Sequence, residues 1–439
     1  MAKITRRNFI KTTGAASAIG LAGFPAIASA MKHGGGKKVV IVGGGIGGAT
    51  CARYVKMADA GVDVTLIEPK ANYHTCFMSN EVLGGDRPID SIKFGYDRLA
   101  SEGITVVKDT VSAIDTNAKK VTTSGGKTFG YDRCVVAPGI DFKYDQIEGY
   151  DAKVANTVTH AWQAGPQTAT LRKQLEGMKN GGTVVICPPP NPSRCPPGPY
   201  ERASLIAKYL QEQKPKSKIL ILDAKGKFSK QGLFVQGWKK LYGYGTDKSL
   251  IDWVSAEQTD NGIASVDAGA MTVTTKFGDT HKADVLNVIP AQKAGKIAFT
   301  AGLTKGDWCP VDKSTFESTI AKGVHVIGDA SIATKMPKSG YSANTQAKVC
   351  AAAIVAMLNG DEPGTPSWLN TCYSIVGKDY AMSVAAVYRL GKDAKGGQLI
   401  TPVKGAGGLT PKDASPEHLR RELGYAHSWF NNITKDVFG

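Results

Sequence analysis

No Cys-x-x-Cys-His motif occurs in the 439 residues, so the chain does not itself attach a c-type haem. Its eight cysteines never fall at CxxC spacing, which excludes the usual zinc signatures, and they are too few for a disulfide scaffold of this size. Neither a short-period repeat nor a low-complexity tract interrupts the chain, and no recognisable nucleic-acid motif gathers its scattered Lys and Arg. Beyond the first thirty residues no segment is long and apolar enough to cross a bilayer. One further absence is local. The strand-like TVVI (183–186) and the helix-like ERASLIAKYLQEQ (201–213) bracket a place where many redox enzymes carry a glycine loop for a nicotinamide cofactor. Here the chain reads CPPPNPSRCPPGPY (187–200), with seven prolines in fourteen residues. Prolines offer no N–H to a pyrophosphate, and their fixed φ forbids the glycine turn, so a nicotinamide is not expected there.

What is present is a folded composition, 42% hydrophobic and 21% charged, in a chain long enough for two or three domains. TRRNFIK (5–11), then GAASAIGLAGFPAIASA (14–30) ending in Ala28-Ser29-Ala30, reads as a twin-arginine signal peptide, residues 1–30. That route exports proteins already folded around a cofactor, which implies the periplasm. Removing the segment would subtract four basic residues and no acidic ones, taking the net charge from +16 to +12. The remaining excess could steer an anionic substrate or an acidic partner through long-range attraction.

KKVVIVGGGIGGATCARYVKMADAGVDVTLIEP (37–69) is a buried strand, a glycine turn, a helix and a second strand. Gly43, Gly45 and Gly48 permit close backbone approach, the helix N-terminus attracts pyrophosphate, and Glu68 is placed to accept ribose hydroxyls. FGYDRCVVAPGI (129–140) and KGVHVIGDA (322–330) resemble the returning strands of two-dinucleotide flavoproteins. In those proteins the second motif delivers the equivalents of Gly328 and Asp329 to the ribityl chain and pyrophosphate. Their order after the glycine turn makes FAD the expected cofactor. Between them TVVI, ERASLIAKYLQEQ and SKILILDA (217–224) form a second βαβ pattern. The expected fold is therefore α/β, Rossmann-like and glutathione-reductase-like, with two dinucleotide-type domains and a small α+β C-terminal domain. FAD binding is assigned to 36–150 and 280–360, a central unit without its phosphate loop to 151–279, and a flavin-side or partner-interface unit to 361–439.

ANYHTCFMSNEVLGGDR (71–87) begins where the chain should pass the flavin ring. Its Tyr73-x-Thr75-Cys76 and SNEVLGGDR resemble the covalent attachment site in the flavoprotein subunit of flavocytochrome c sulfide dehydrogenase. The resemblance continues through VVAPGI, CPPGPYERAS, GWKKLYGYGT, IPAQKAGKIA, WCPVD, HVIGDA, MPKSGYSAN and LNTCYSI, in family order. It implies a thioether from Cys76 to the 8α-methyl group of FAD, a redox-active disulfide between Cys195 and Cys372, and a site acid at Glu201. It also implies a separate c-type cytochrome subunit that carries the haem.

Such a disulfide suits hydrosulfide, a soft nucleophile that would leave a persulfide on one cysteine and a thiolate on the other. Arg194 or Lys338 could steer the anion. Glu201 could move a proton, or could be a first-turn helix glutamate paired with Arg202. Cys187 is expected to stay buried at the end of TVVI rather than compete for Cys195. Cys51, Cys134, Cys309 and Cys350 read as packing residues. Two other functions stay open. One is a sulfide:quinone oxidoreductase, against which stands a C-terminus with no obvious amphipathic membrane helix. The other is a non-catalytic flavoprotein that activates a sulfur-oxidising complex.

Overall fold

The computed structural model of the chain describes residues 36–439, and the signal peptide expected at 1–30 lies outside them. Val39–Val42 is apolar and β-branched throughout and buried at every position. That is the pattern of a parallel strand covered on both faces. This strand, β1 (Lys38–Val42), feeds helix α1 (Ile46–Ala58) and strand β2 (Asp63–Ile67). The chain then forms the short strand β3 (Tyr73–His74), helix α2 (Ser79–Gly84), and strands β4 (Thr105–Val107) and β5 (Arg133–Val136). A three-stranded antiparallel meander separates β4 from β5.

The second unit repeats this plan with strand β6 (Thr183–Cys187), helix α3 (Gly198–Gln213), strand β7 (Lys218–Leu222), helix α4 (Gln231–Tyr242) and strands β8 (Ile251–Val254) and β9 (Val285–Val288). It too carries an antiparallel meander before its last strand. Its parallel sheet runs β8–β7–β6–β9. β9 had been assigned by sequence to the FAD-binding part. It pairs with β6, Val184 opposite Val285, so the central unit extends past residue 280 to include it.

The chain returns to the first unit through β10 (Val324–Val326), giving a five-stranded parallel sheet in the order β10–β5–β1–β2–β4. Helix α5 (Gly340–Asn359) packs along α1 through small residues, with Ala343 close to Gly47. Its start is capped by Ser339, whose side chain accepts from the Ser342 N–H, and Gly360 ends it in a left-handed conformation.

A three-stranded antiparallel sheet, β11 (Ser367–Gly377), β12 (Tyr380–Lys392) and β13 (Gln398–Leu409), follows, and helix α6 (Pro416–Phe438) closes the chain. The C-terminus is therefore an amphipathic helix after all. Its apolar side is already used: Phe430 and Phe438 pack edge-on or stacked against Phe94, and Phe438 also meets Tyr73 and Tyr96. Among the described residues no helix is long and apolar enough to cross a membrane.

Asp436 locks α6 to the FAD-type unit. It accepts from Tyr54 Oη (2.6 Å) and Asn344 Nδ2 (2.8 Å) and pairs with Lys348 (2.8 Å). Burial alone would raise its pKa, but these hydrogen bonds and the Lys348 charge outweigh it and hold the carboxyl below its ordinary value. A depressed folded pKa gives stability that is present above the unfolded pKa and lost as the pH falls through the folded one. Asp436→Asn should therefore cost about 1–2 kcal/mol near neutrality. The cost should shrink as the pH falls through the depressed folded pKa, where the carboxyl too becomes neutral, as urea unfolding at neutral pH and across the acid range would record.

Candidate active site

Three segments carry the sequence-predicted residues to one place. In the first, the chain turns sharply after β3. The Thr75 N–H donates to the Ile92 carbonyl (2.9 Å), Ser79 donates through N and Oγ to the Cys76 carbonyl, and Met78 adopts φ 65°. This holds Cys76 at the start of α2 with its side chain on a cavity. Burial pushes its thiol pKa up, and the guanidinium of Arg194 opposes that rise.

In the second, the proline-rich loop runs from β6 to α3. It is pinned by the Arg194 N–H donating to Gln292 Oε1 (2.7 Å) and the Cys195 N–H to the Lys338 carbonyl (2.7 Å). Cys195 sits at φ 51°, and its carbonyl accepts from Gly198 N (2.8 Å). A Cβ on Gly198 would lie 3.0 Å from Cys195 Sγ and 2.6 Å from the Trp162 ring, so the glycine is what admits the sulfur. Burial, then the neighbouring Cys372 and Glu201, drive the Cys195 thiol pKa well above its usual value.

In the third, β11 presents Cys372. Asn370 Nδ2 donates to Cys372 Sγ (3.3 Å), and Asn370 Oδ1 accepts from Ser339 Oγ (2.6 Å) and Ser342 Oγ (3.1 Å) at the head of α5. Cys76, Cys195, Cys372 and Glu201 line one cavity together with Trp162, Tyr341 and Trp429. The cysteines are unbonded thiols in this structure.

Glu201 does not pair with Arg202. Its Oε1 accepts from the Ile375 N–H (2.8 Å) and its Oε2 from Asn80 Nδ2 (2.9 Å), and burial raises its pKa despite them. Arg202 turns the other way, donating to the His160 and Ala161 carbonyls, Asn287 and Asn80.

The residues expected to hold FAD fit that group. Gly43 has φ +99°, and a Cβ there would lie 2.5 Å from the Ala137 carbonyl oxygen; one on Gly48 would lie 1.8 Å from the Gly43 oxygen. Only glycine allows that turn. Gly45 caps α1, and Glu68 follows β2 beside the turn, accepting from Gly44 N (2.8 Å). A second cavity, of about 410 Å³, is lined by Gly328, Asp329, Lys338 and Trp308 and shares Ser339 with the first. Asp329 Oδ1 and Arg194 Nε are buried without hydrogen-bond partners, and burial raises the Asp329 pKa. A polyhydroxylated chain would supply the missing donors to such a carboxylate. Lys338 is less free than its sequence position suggests. Its ammonium donates to the Asp329 (2.7 Å) and Ser331 (3.0 Å) carbonyls and lies 3.8 Å from the Trp308 ring centroid, and burial lowers its pKa to about 8.

The acid after β7 in the central unit is engaged within the chain. Asp223, just past β7, is where a dinucleotide domain presents its ribose-binding acid. Here it accepts from Tyr200 Oη (2.5 Å) and Trp253 Nε1 (2.9 Å) and pairs with Lys225 (2.8 Å), while Tyr200 stacks on Phe228 at 3.6 Å. Cys187 ends β6 in the core beside Val185, Leu222 and Val288, away from the cavity, and burial raises its thiol pKa. Cys51, Cys134, Cys309 and Cys350 are likewise wholly buried. Trp162 and Lys230 were not marked by any sequence motif, and Asn80 and Asn370 lie in SNEVLGGDR and LNTCYSI without a role having been given to them.

Family models describe this chain in three stretches. Residues 37–184 match pyridine nucleotide-disulphide oxidoreductases. Residues 168–290 match the central part of the sulfide dehydrogenase [flavocytochrome c] flavoprotein chain, and 364–438 match the flavin-binding part of flavocytochrome c sulphide dehydrogenase. The chain is 52% identical over 48 residues, 11% of its length, to the whole available sequence of the sulfide dehydrogenase [flavocytochrome c] flavoprotein chain of Chlorobaculum thiosulfatiphilum. It is 22% identical over 320 residues to the mitochondrial sulfide:quinone oxidoreductase of Mus musculus, covering 71% of this chain and 68% of that one. Its fold matches the sulfide:quinone oxidoreductase of Aquifex aeolicus with a TM-score of 0.67 at 18% identity, over 92% of each chain.

Proposed function

Since this chain belongs to the flavocytochrome c sulfide dehydrogenase flavoprotein family, a group of sulfide-oxidising flavoproteins, we propose that it oxidises sulfide at a Cys195–Cys372 disulfide and passes the electrons to a c-type cytochrome subunit. The observation that carries this reading is the convergence of Cys76, Cys195, Cys372 and Glu201 on one cavity. In the first step hydrosulfide attacks a sulfur of the disulfide. A new S–S bond forms to the attacked cysteine, the Cys195–Cys372 bond breaks, and its electron pair stays on the other cysteine as a thiolate. Glu201, with its raised pKa, takes the hydrosulfide proton. FAD, when bound by Gly43, Gly45, Gly48, Glu68, Gly328 and Asp329 and tied to Cys76, supplies the two-electron acceptor and releases electrons one at a time. The excess of basic residues favours an anionic substrate. Export by the twin-arginine route would place the assembly in the periplasm.

The similarity to sulfide:quinone oxidoreductases supports quinone as the competing acceptor. Against it stands α6, whose apolar side is spent on the FAD-type unit. The acceptor assay decides. Protein reduced anaerobically with sulfide should be reoxidised rapidly by a c-type cytochrome and hardly at all by decylubiquinone or NAD⁺. Rapid turnover with decylubiquinone and none with cytochrome would replace this reading by the quinone one.

A further inference from the structure

We propose that Lys230 is a positioning residue for this reaction, holding the negative charge that sulfide attack leaves at Cys372. The inference rests on the function proposed above. Lys230 immediately precedes α4 at φ 60°, a conformation that long side chains seldom adopt. It brings the ammonium against β11, where Nζ donates to Ser374 Oγ (2.8 Å) and to the Cys372 carbonyl (3.2 Å). An ammonium has three N–H donors, so one is left over. Lys230 forms no ion pair among the described residues, although it is half-buried and burial lowers its pKa. The groups that face it are Cys372 on β11, Glu201 on α3, Cys195 on the loop before α3, and Glu422 on α6. Arg194 and Arg202 act on Cys195 instead. A cation without a fixed counter-ion is thus held beside Cys372.

The charge balance of the first step gives this placement its meaning. Hydrosulfide enters with one negative charge and attacks Cys195 Sγ. The sulfide–Cys195 bond forms, the Cys195–Cys372 bond breaks, and the electron pair moves to Cys372 Sγ. The charge that arrived on the substrate ends at Cys372, in a half-buried site where an unpaired anion is costly. Lys230 stands ready to offset it without moving.

A purely structural lysine would only staple α4 to β11, and the test separates the two roles. In the holoenzyme, Lys230→Met and Lys230→Arg are compared with the native chain by two readouts. One is the alkylation rate of Cys372 by iodoacetamide after mild reduction, located by peptide mass. The other is the pH profile of flavin bleaching by sulfide. Lys230→Met should slow Cys372 alkylation near neutrality about tenfold and move the bleaching profile about one unit to higher pH. Lys230→Arg should bring both back to within about threefold, because the charge returns. Unchanged alkylation in Lys230→Met, or no recovery in Lys230→Arg at equal thermal stability, would overturn the assignment. If sulfide fails to bleach the native protein, the proposed function falls, while the alkylation arm still decides whether Lys230 acts on Cys372.

Discussion

Replacing Cys195 by serine is expected to slow anaerobic flavin reduction by sulfide by about a thousandfold or more, the scale on which losing a covalently reacting group is felt. A hydroxyl cannot form the disulfide, so hydrosulfide would have no electrophilic sulfur to attack. The fold should hardly register the change. Serine can keep φ 51°, the backbone bonds to Lys338 and Gly198 do not involve the side chain, and the smaller atom fits the space that Gly198 leaves for the sulfur. Cys187→Ala is the matched control: it removes a buried sulfur from the core and should cost about 1 kcal/mol of stability while leaving the rate intact. Stopped-flow bleaching at matched flavin content reads both variants. A Cys195→Ser protein that bleaches at more than a tenth of the native rate would remove the disulfide from the mechanism.

The glycine turn at 43–48 and the HVIGDA strand were legible because each demands a backbone that few residues provide. A Cβ at Gly48 overlaps the Gly43 oxygen, so the pattern leaves little choice of fold. The proline-rich loop at 187–200 was legible as something other than a glycine phosphate loop for the same reason, since proline has no N–H to give. The cluster behind it was not: Tyr200, Asp223, Phe228 and Trp253 meet only once β7 and β8 lie side by side. That Cys195 and Cys372 line one cavity likewise could not be read from spacing, because β11 reaches α3 from another part of the chain. The run VLNV of β9 suits either parallel sheet, and only its register beside β6 assigns it. The proposed Glu201–Arg202 pair neglected helix geometry. Adjacent residues on a helix point about 100° apart, so they seldom face each other, and Glu201 instead meets Asn80 and Ile375. The end of the chain was expected to belong to a flavin-side or partner-interface unit, while its helical period, and the fact that Phe430 and Phe438 are spent inside the molecule, emerged only with the fold.

Cys76→Ser should turn a flavin that survives denaturation into one that is released completely. In the native protein the intact mass of the unfolded chain should exceed that of the polypeptide by one FAD, and the increment should map to the 71–87 peptide. In the variant the flavin should appear free in the acid supernatant. The expectation is all or none because a thioether abolishes dissociation, whereas every other contact fails when the chain unfolds. Folded Cys76→Ser should still bind FAD, since the turn at Gly43–Gly48 and the orphaned Asp329 carboxylate do not depend on the sulfur. Attachment also needs the thiolate, and burial opposes it. Arg194 is the cation that counters burial at Cys76, with Nε buried and unpartnered beside it. Arg194→Met should therefore leave a fraction of the flavin releasable even with Cys76 present, which links covalent loading to the same loop that carries Cys195. Complete release of FAD from the native protein on denaturation would exclude the thioether and leave Cys76 as one wall of the cavity.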